Sequence, residues 1–231
     1  MRPLRIAAIG ALLAATLAFA SLAWASPVTI YRNSMEGKGQ LAQILKLSGA
    51  RCGRSGSGGA LLVTVGKQTR ECSYRTPPLG RDLEIDATAS LLSKTPTALQ
   101  ASTFLALNLR AGGGARYQLA VYPKQRKAQV RKILSDGSIV YLDIEKNVEG
   151  IEGIGKANKL RLRAFNVTTG DEKGNCHIQA YVGGKLVSDV TDEGAGELSG
   201  RASGFSVGSA KAAKGAQASF DDVVVRVPDP F

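Results

Sequence analysis

Glu84-Ile85-Asp86 places two carboxylates two residues apart in a stretch that alternates apolar and polar side chains. On a strand such residues share a face, and a carboxylate pair around one glycosidic bond is the requirement for glycoside hydrolysis. A second chemistry lies just downstream. No Asp or Glu occurs between Ala87 and Ser135, while Lys94, Arg110, Arg116, Lys124, Arg126, Lys127, Arg131 and Lys132 fall inside that window. Within it, Arg116, Gln118 and Tyr122 alternate with Tyr117, Leu119 and Val121; Lys127, Gln129 and Arg131 alternate with Ala128 and Val130. A tight turn over residues 123–126 lays Tyr122 beside Lys127 and Gln118 beside Arg131 on one face. An aromatic ring among amides and guanidinium groups offers a sugar a stacking surface and bidentate donors for hydroxyl or carboxylate groups. The same residues also describe a solvated basic face that discourages edge aggregation.

A second candidate face carries Arg161, Arg163 and Phe165 with His177, Gln179 and Tyr181. His177 is the one histidine of the chain and no nucleophile accompanies it, so the pattern points to polar surface rather than catalysis. Asp221-Asp222 invites a calcium reading, yet neighbours on a strand point to opposite faces and cannot form a site alone. Neither a cofactor nor a metal is expected: one His and no Cys-x-x-Cys argue against zinc. Asn166-Val167-Thr168 matches the glycosylation acceptor pattern, a weak signal.

These residues need strands to position them, and the chain supplies strand signals throughout. Strands are expected at 28–32, 43–47, 60–65 and 71–75, with 51–59 a Gly-Ser-Arg loop and Pro77-Pro78 ending a pairing of 60–65 with 71–75. Residues 82–92 alternate strictly, with Leu83, Ile85, Ala87, Ala89 and Leu91 inward. Residues 101–110 form the most apolar strand; 116–122, 127–134 and 138–144 follow, then an irregular segment over 147–157. Leu160, Leu162 and Ala164, then Cys176, Ile178, Ala180 and Val182, fall on the apolar faces of two further strands. Gly183-Gly184 suits a two-residue hairpin turn into 185–190, and strands at 203–208 and 218–227 close the chain. A dozen or more strands at intervals of about 8–12 residues, without an amphipathic helix, predict an all-β, two-sheet antiparallel sandwich or a barrel.

The 231 residues suffice for one β domain with a sizeable core. Residues 1–25 have a basic start, an apolar middle and Ala23-Trp24-Ala25, which describes a secretory signal cut after Ala25 and leaves 26–231 as the domain. An uncleaved anchor is the competing expectation; otherwise no stable membrane insertion is expected. The net charge of +11 becomes +9 without Arg2 and Arg5, a balance that favours anionic polymers. Export disfavours nucleic acid among them. Cys52 and Cys72 suit a disulfide in an oxidising compartment, secreted or periplasmic, closing a loop worth about 3 kcal/mol. Cys176 is then a buried thiol outside the bridge.

The order of the alternating strand at 82–92, Tyr117-Gln118-Leu119-Ala120-Val121, Lys159-Leu160-Arg161-Leu162-Arg163, Ile178-Gln179-Ala180-Tyr181-Val182-Gly183-Gly184-Lys185-Leu186-Val187, a Gly200–Phe205 stretch and a terminal Phe220-Asp221-Asp222-Val223-Val224-Val225 resembles the concanavalin A-like lectin/glucanase superfamily. It is most similar to the laminin-G-like domains of bacterial secreted proteins, over roughly residues 82–227. The resemblance implies a jelly roll of two curved sheets, often with a glycan on the concave one. Retaining glucanases of that superfamily carry Glu-x-Asp-x-x-Glu, and here Ala89 stands where the second Glu belongs. That departure points away from hydrolysis. Three functions remain: a carbohydrate-binding or cell-surface module for an acidic polysaccharide, a glycoside-active enzyme, and an envelope protein without a small ligand.

Overall fold

A computed structural model describes residues 27–49, 51–167, 173–193, 198–209 and 214–227. The secretory signal expected over 1–25, and Thr168 of the acceptor pattern, lie outside these residues. In chain order the elements are β1 (Val28–Asn33), α1 (Lys38–Gln43), β2 (Leu45–Ser48), β3 (Cys52–Ser57), β4 (Ala60–Val65), β5 (Glu71–Leu79) and β6 (Leu83–Leu91). There follow α2 (Thr97–Gln100), β7 (Thr103–Gly112), β8 (Ala115–Tyr122), a 3-10 turn (Pro123–Gln125), β9 (Lys127–Ile133) and β10 (Ile139–Glu145). β11 (Asn158–Asn166), β12 (Cys176–Val182), β13 (Lys185–Asp192), β14 (Ala202–Ser209) and β15 (Gln217–Val227) complete the set.

The strands form two antiparallel sheets. Sheet A runs β13-β12-β11-β6-β15-β4-β3, with β1 also on β15, and sheet B runs β10-β9-β8-β7-β14-β5-β2. The interior lies between them because each strand's inward set is apolar. Leu83, Ile85, Ala87, Ala89 and Leu91 from sheet A meet Leu105, Leu107, Leu109, Tyr117, Leu119 and Val121 from sheet B, all at most 3 % exposed. Phe205 and Phe220 stack across the gap with ring centroids 4.5 Å apart. Gly183 and Gly184 take φ of 59° and 82°, the left-handed geometry that joins β12 to β13.

The disulfide Cys52–Cys72 forms as expected, and it ties β3 of sheet A to β5 of sheet B. Cys176 is buried on the core face of β12. Several local expectations change. Residues 52–57 are an edge strand paired with β4, not a loop: glycine and serine demand little on an edge, and Gly58-Gly59 at φ 58° and 77° make its turn. The strands at 60–65 and 71–75 exist but sit in different sheets. Pro77 and Pro78 lie inside β5, opposite the register shift between Ala202 and Gly204, where a bulge tolerates missing donors. Residues 38–43 and 97–100 are short helices. Among the described residues no helix is long and apolar enough to cross a membrane.

Candidate functional site

The acid-free hairpin folds as the alternation requires. Gln118 pairs with Arg131, Ala120 with Gln129 and Tyr122 with Lys127, so these side chains share the outer face of sheet B. Arg116 sits farther along the same face. On adjoining strands the face continues through Phe104, Ala106 and Asn108 of β7, Gly204, Ser206 and Gly208 of β14, and Glu71 and Ser73 of β5.

One part of this face is closed on itself. Glu71 accepts from Arg116 Nη2 at 2.7 Å, Gln118 Nε2 at 2.9 Å and Ser73 Oγ at 2.9 Å. Gln118 also reaches Asn108 at 2.7 Å and Ser206 at 3.2 Å. In a flat sheet β5 and β8 would lie about 14 Å apart. Their side chains meet across β7 and β14, so the sheet curls toward this face. Burial raises the Glu71 carboxyl, but Arg116, a hydrogen bond to Ser206, Arg131 and Gln118 outweigh it, and the group ends below the usual carboxylate range.

The other part carries no carboxylate of its own. Arg131 donates through Nε to Gln118 Oε1 at 2.8 Å, through Nη2 to the same oxygen and through Nη1 to the Tyr122 hydroxyl at 3.4 Å, and its guanidinium stands 4.5 Å from the Phe104 ring centre. Phe104 and Tyr122 form a tilted pair at 5.6 Å, and Lys127 Nζ stands 4.1 Å over the Tyr122 ring. Gly208 makes room for this arrangement, since a Cβ there would come within 2.5 Å of Phe104 Cζ. Neither Lys127 nor Arg131 forms an ion pair among the described residues. Burial, with Arg131 and Lys146 nearby, lowers the Lys127 ammonium from its ordinary value; burial raises the Tyr122 phenol, offset in part by Arg131. Gln129 is 6 % exposed, and its buried Oε1 has no hydrogen-bond partner.

The second candidate face is also assembled, on the outer side of sheet A: Arg161 pairs with Tyr181, Arg163 with Gln179 and Phe165 with His177. Here the charges are matched. Glu84 is 2 % exposed and lies 3.0 Å from Arg163, 2.7 Å from Arg226 and 3.6 Å from Arg161. Asp86 holds Arg161 at 2.6 Å and also binds Arg226. His177 pairs with Asp189 at 2.5 Å and stacks on Phe165. Ala89 faces the core, fully buried, so a carboxylate at that position would not join Glu84 and Asp86.

Thus all six hairpin residues fall on one face: Arg116 and Gln118 bond to Glu71, Arg131 links Gln118 to Tyr122, and Lys127 and Gln129 lie beyond. Glu71, Asn108 and Phe104 were not anticipated as members. Alternation around Cys72 and Tyr74 turns Glu71 outward, but nothing in the sequence places β5 near β8. At one end of the sandwich an open cleft of about 550 Å³ lies between Lys124, Arg126 and residues 150–154; none of the expected site residues lines it. Among the described residues no group of three His, Cys, Asp or Glu side chains is placed to hold a metal ion.

No protein-family model matches the chain, and no curated protein matches it. Solved structures do. The carbohydrate-binding module CBM66 from Bacillus subtilis superposes with TM-score 0.60 at 14 % identity, covering 80 % of this chain and 95 % of that one. A Bacillus subtilis protein of unknown function with a galectin-like fold gives 0.60 at 13 %, covering 86 % and 96 %. The metal-free carbohydrate recognition domain of Emp46p gives 0.54 at 13 %, covering 88 % and 97 %. What they share with this chain is the jelly roll. At such identities the likeness is one of fold, as the superfamily resemblance implied.

Proposed function

We propose that the chain is a secreted or envelope-located, non-catalytic carbohydrate-binding module whose ligand is an acidic polysaccharide, bound on the outer face of sheet B. One observation carries this reading: Lys127 stands over the Tyr122 ring without an ion pair among the described residues, beside a buried Phe104–Tyr122 pair and the Arg131 guanidinium. Unpaired cations supply charge-assisted bonds to carboxylates, and the rings supply apolar surface. Carbohydrate-binding modules and recognition domains among the similar folds add support, as does the disulfide for an oxidising compartment. The basic balance favours an anionic glycan over a neutral one. Glu84 and Asp86 are committed to arginines, and Ala89 lacks the second acid, which argues against glucanase chemistry.

Binding to an array of acidic and neutral glycans tests the proposal. Acidic glycans are expected to bind, with the signal lost in Arg131→Ala and Tyr122→Ala. Silence of the wild-type protein across the array would end the carbohydrate reading, and turnover abolished by Glu84→Gln would replace it with an enzyme.

A further inference from the structure

The edge strand β10 carries a row that the hairpin reading does not use. Across the β9–β10 ladder Ile139 stands opposite Ile133, Tyr141 opposite Arg131 and Ile144 opposite Gln129. Directly opposed residues share a face, so Ile139, Tyr141 and Ile144 lie on the same outer face as Lys127, Gln129 and Arg131. The two rows differ sharply in exposure. Ile139, Tyr141 and Ile144 are 42 %, 52 % and 43 % exposed, while Gln129 and Arg131 are 6 % and 4 % exposed. A register shift between Tyr141 and Asp143 keeps Ile144 on this face despite the odd spacing.

An apolar exposed row beside a buried polar row is an unusual surface for a sheet edge. Isolated exposed apolar residues are ordinary, but three on one face of one strand form a patch. The polar row is incomplete as well: Gln129 Oε1 is buried without a donor, an arrangement that is unfavourable unless something supplies the bond. Lys127 adds a cation without an ion pair among the described residues. A ligand that fits both rows must be long, with an apolar side and, along one edge, hydroxyl donors and negative charge. A polysaccharide of acidic sugars has this form: ring C–H faces, hydroxyls and carboxylates.

We infer that β9 and β10 together form one linear subsite for an extended uronic-acid polysaccharide. Tyr141 and Ile144 receive the C–H faces of the rings, Gln129 Oε1 accepts a sugar hydroxyl, and Lys127 and Arg131 hold carboxylates. From Ile139 to Ile144 the row spans about 16 Å at strand spacing, so more than one ring is engaged. This rests on the carbohydrate-binding reading of the same face and adds to it a direction, a ring platform and a charge requirement. Tyr141 becomes a specificity-determining residue of the site.

Calorimetric titration of the whole protein with polygalacturonate, polymannuronate and hyaluronate, and with methyl-esterified polygalacturonate as the uncharged counterpart, tests the inference. At least one acidic polymer is expected to bind. Tyr141→Ala should weaken it at least tenfold, Gln129→Glu should weaken it at least as much by setting a negative charge against the carboxylates, and esterification should abolish it. Gln129→Glu is close to isosteric, and unchanged thermal melting of Tyr141→Ala keeps a folding defect from imitating the result. Acidic polymer bound with full affinity by both variants overturns the linear subsite while leaving carbohydrate binding in place. Equal binding of the esterified polymer overturns the charge requirement. Failure of every polymer, with neutral glycans silent on the array too, removes both readings. Self-association of the wild type that Tyr141→Ala abolishes would assign the row to a second copy of the chain instead.

Discussion

The two outer faces of the sandwich are built from similar residues and differ in how their charges are settled. On sheet A, Arg161, Arg163 and Arg226 surround Glu84 and Asp86, and His177 meets Asp189. On sheet B, Glu71 is held by Arg116 and Gln118, while Lys127 and Arg131 rest on rings and amides. Arginine on a strand face therefore says little by itself. Where carboxylates are interleaved the cations hold the sheet together; where they are absent the cations keep bonding capacity for something else. The same contrast divides sheet B internally, between the Glu71 network and the β9–β10 rows.

Breaking the matched face should cost the most stability. Glu84→Gln leaves three guanidinium groups without their shared carboxylate and is expected to destabilise by about 3 kcal/mol, discounted little because Glu84 itself is buried. For a chain of this size that lowers Tm by roughly 6–12 °C. Glycan affinity should not change; if it falls with intact folding, the separation of the faces is wrong.

Glu71→Gln is the counterpart on sheet B and should cost about 2 kcal/mol, since Arg116 keeps a hydrogen-bonding partner but loses its ion pair. The effect carries a pH signature. The Glu71 carboxyl lies below its ordinary value in the folded protein, so its contribution is present above the ordinary carboxylate range and lost as pH falls through the folded value. Urea melts of the wild type should weaken on acidification, and Glu71→Gln should flatten that limb. An identical acid limb in the variant would assign it elsewhere.

Gly208→Ala sharpens the contrast within sheet B. The added Cβ meets Phe104 at 2.5 Å and must displace the ring that carries Arg131. A cost of about 1–2 kcal/mol is expected, together with weaker glycan binding. Retained affinity would show that the ring under Arg131 is dispensable.

The jelly roll was legible because alternation survives in the sequence wherever one strand face is buried: Leu83 to Leu91 and Cys176 to Val182 fall inward as read. The shared face of the hairpin residues was legible for the same reason, since a two-strand register follows from its turn. Reading ran out where pairing is distant. Glu71 joins that face through a β5 that reaches β8 only via β14 and β7, and no local pattern encodes that order. Tyr141 escaped notice because the bulge after it breaks the alternation that would have aligned it with Ile144. The burial of Glu84 was not legible because the three arginines around it come from two other strands, at positions as remote as 226.

The claim that sheet B is the ligand face and sheet A the sealed one is tested most directly by an amide-resolved NMR titration of the protein with oligogalacturonate. The account predicts chemical-shift changes along β8, β9 and β10, centred on Tyr122, Gln129, Arg131 and Tyr141, with β11, β12 and β13 unmoved. Changes centred instead on Arg161, Gln179 and Tyr181, with the β9–β10 pair silent, would contradict it.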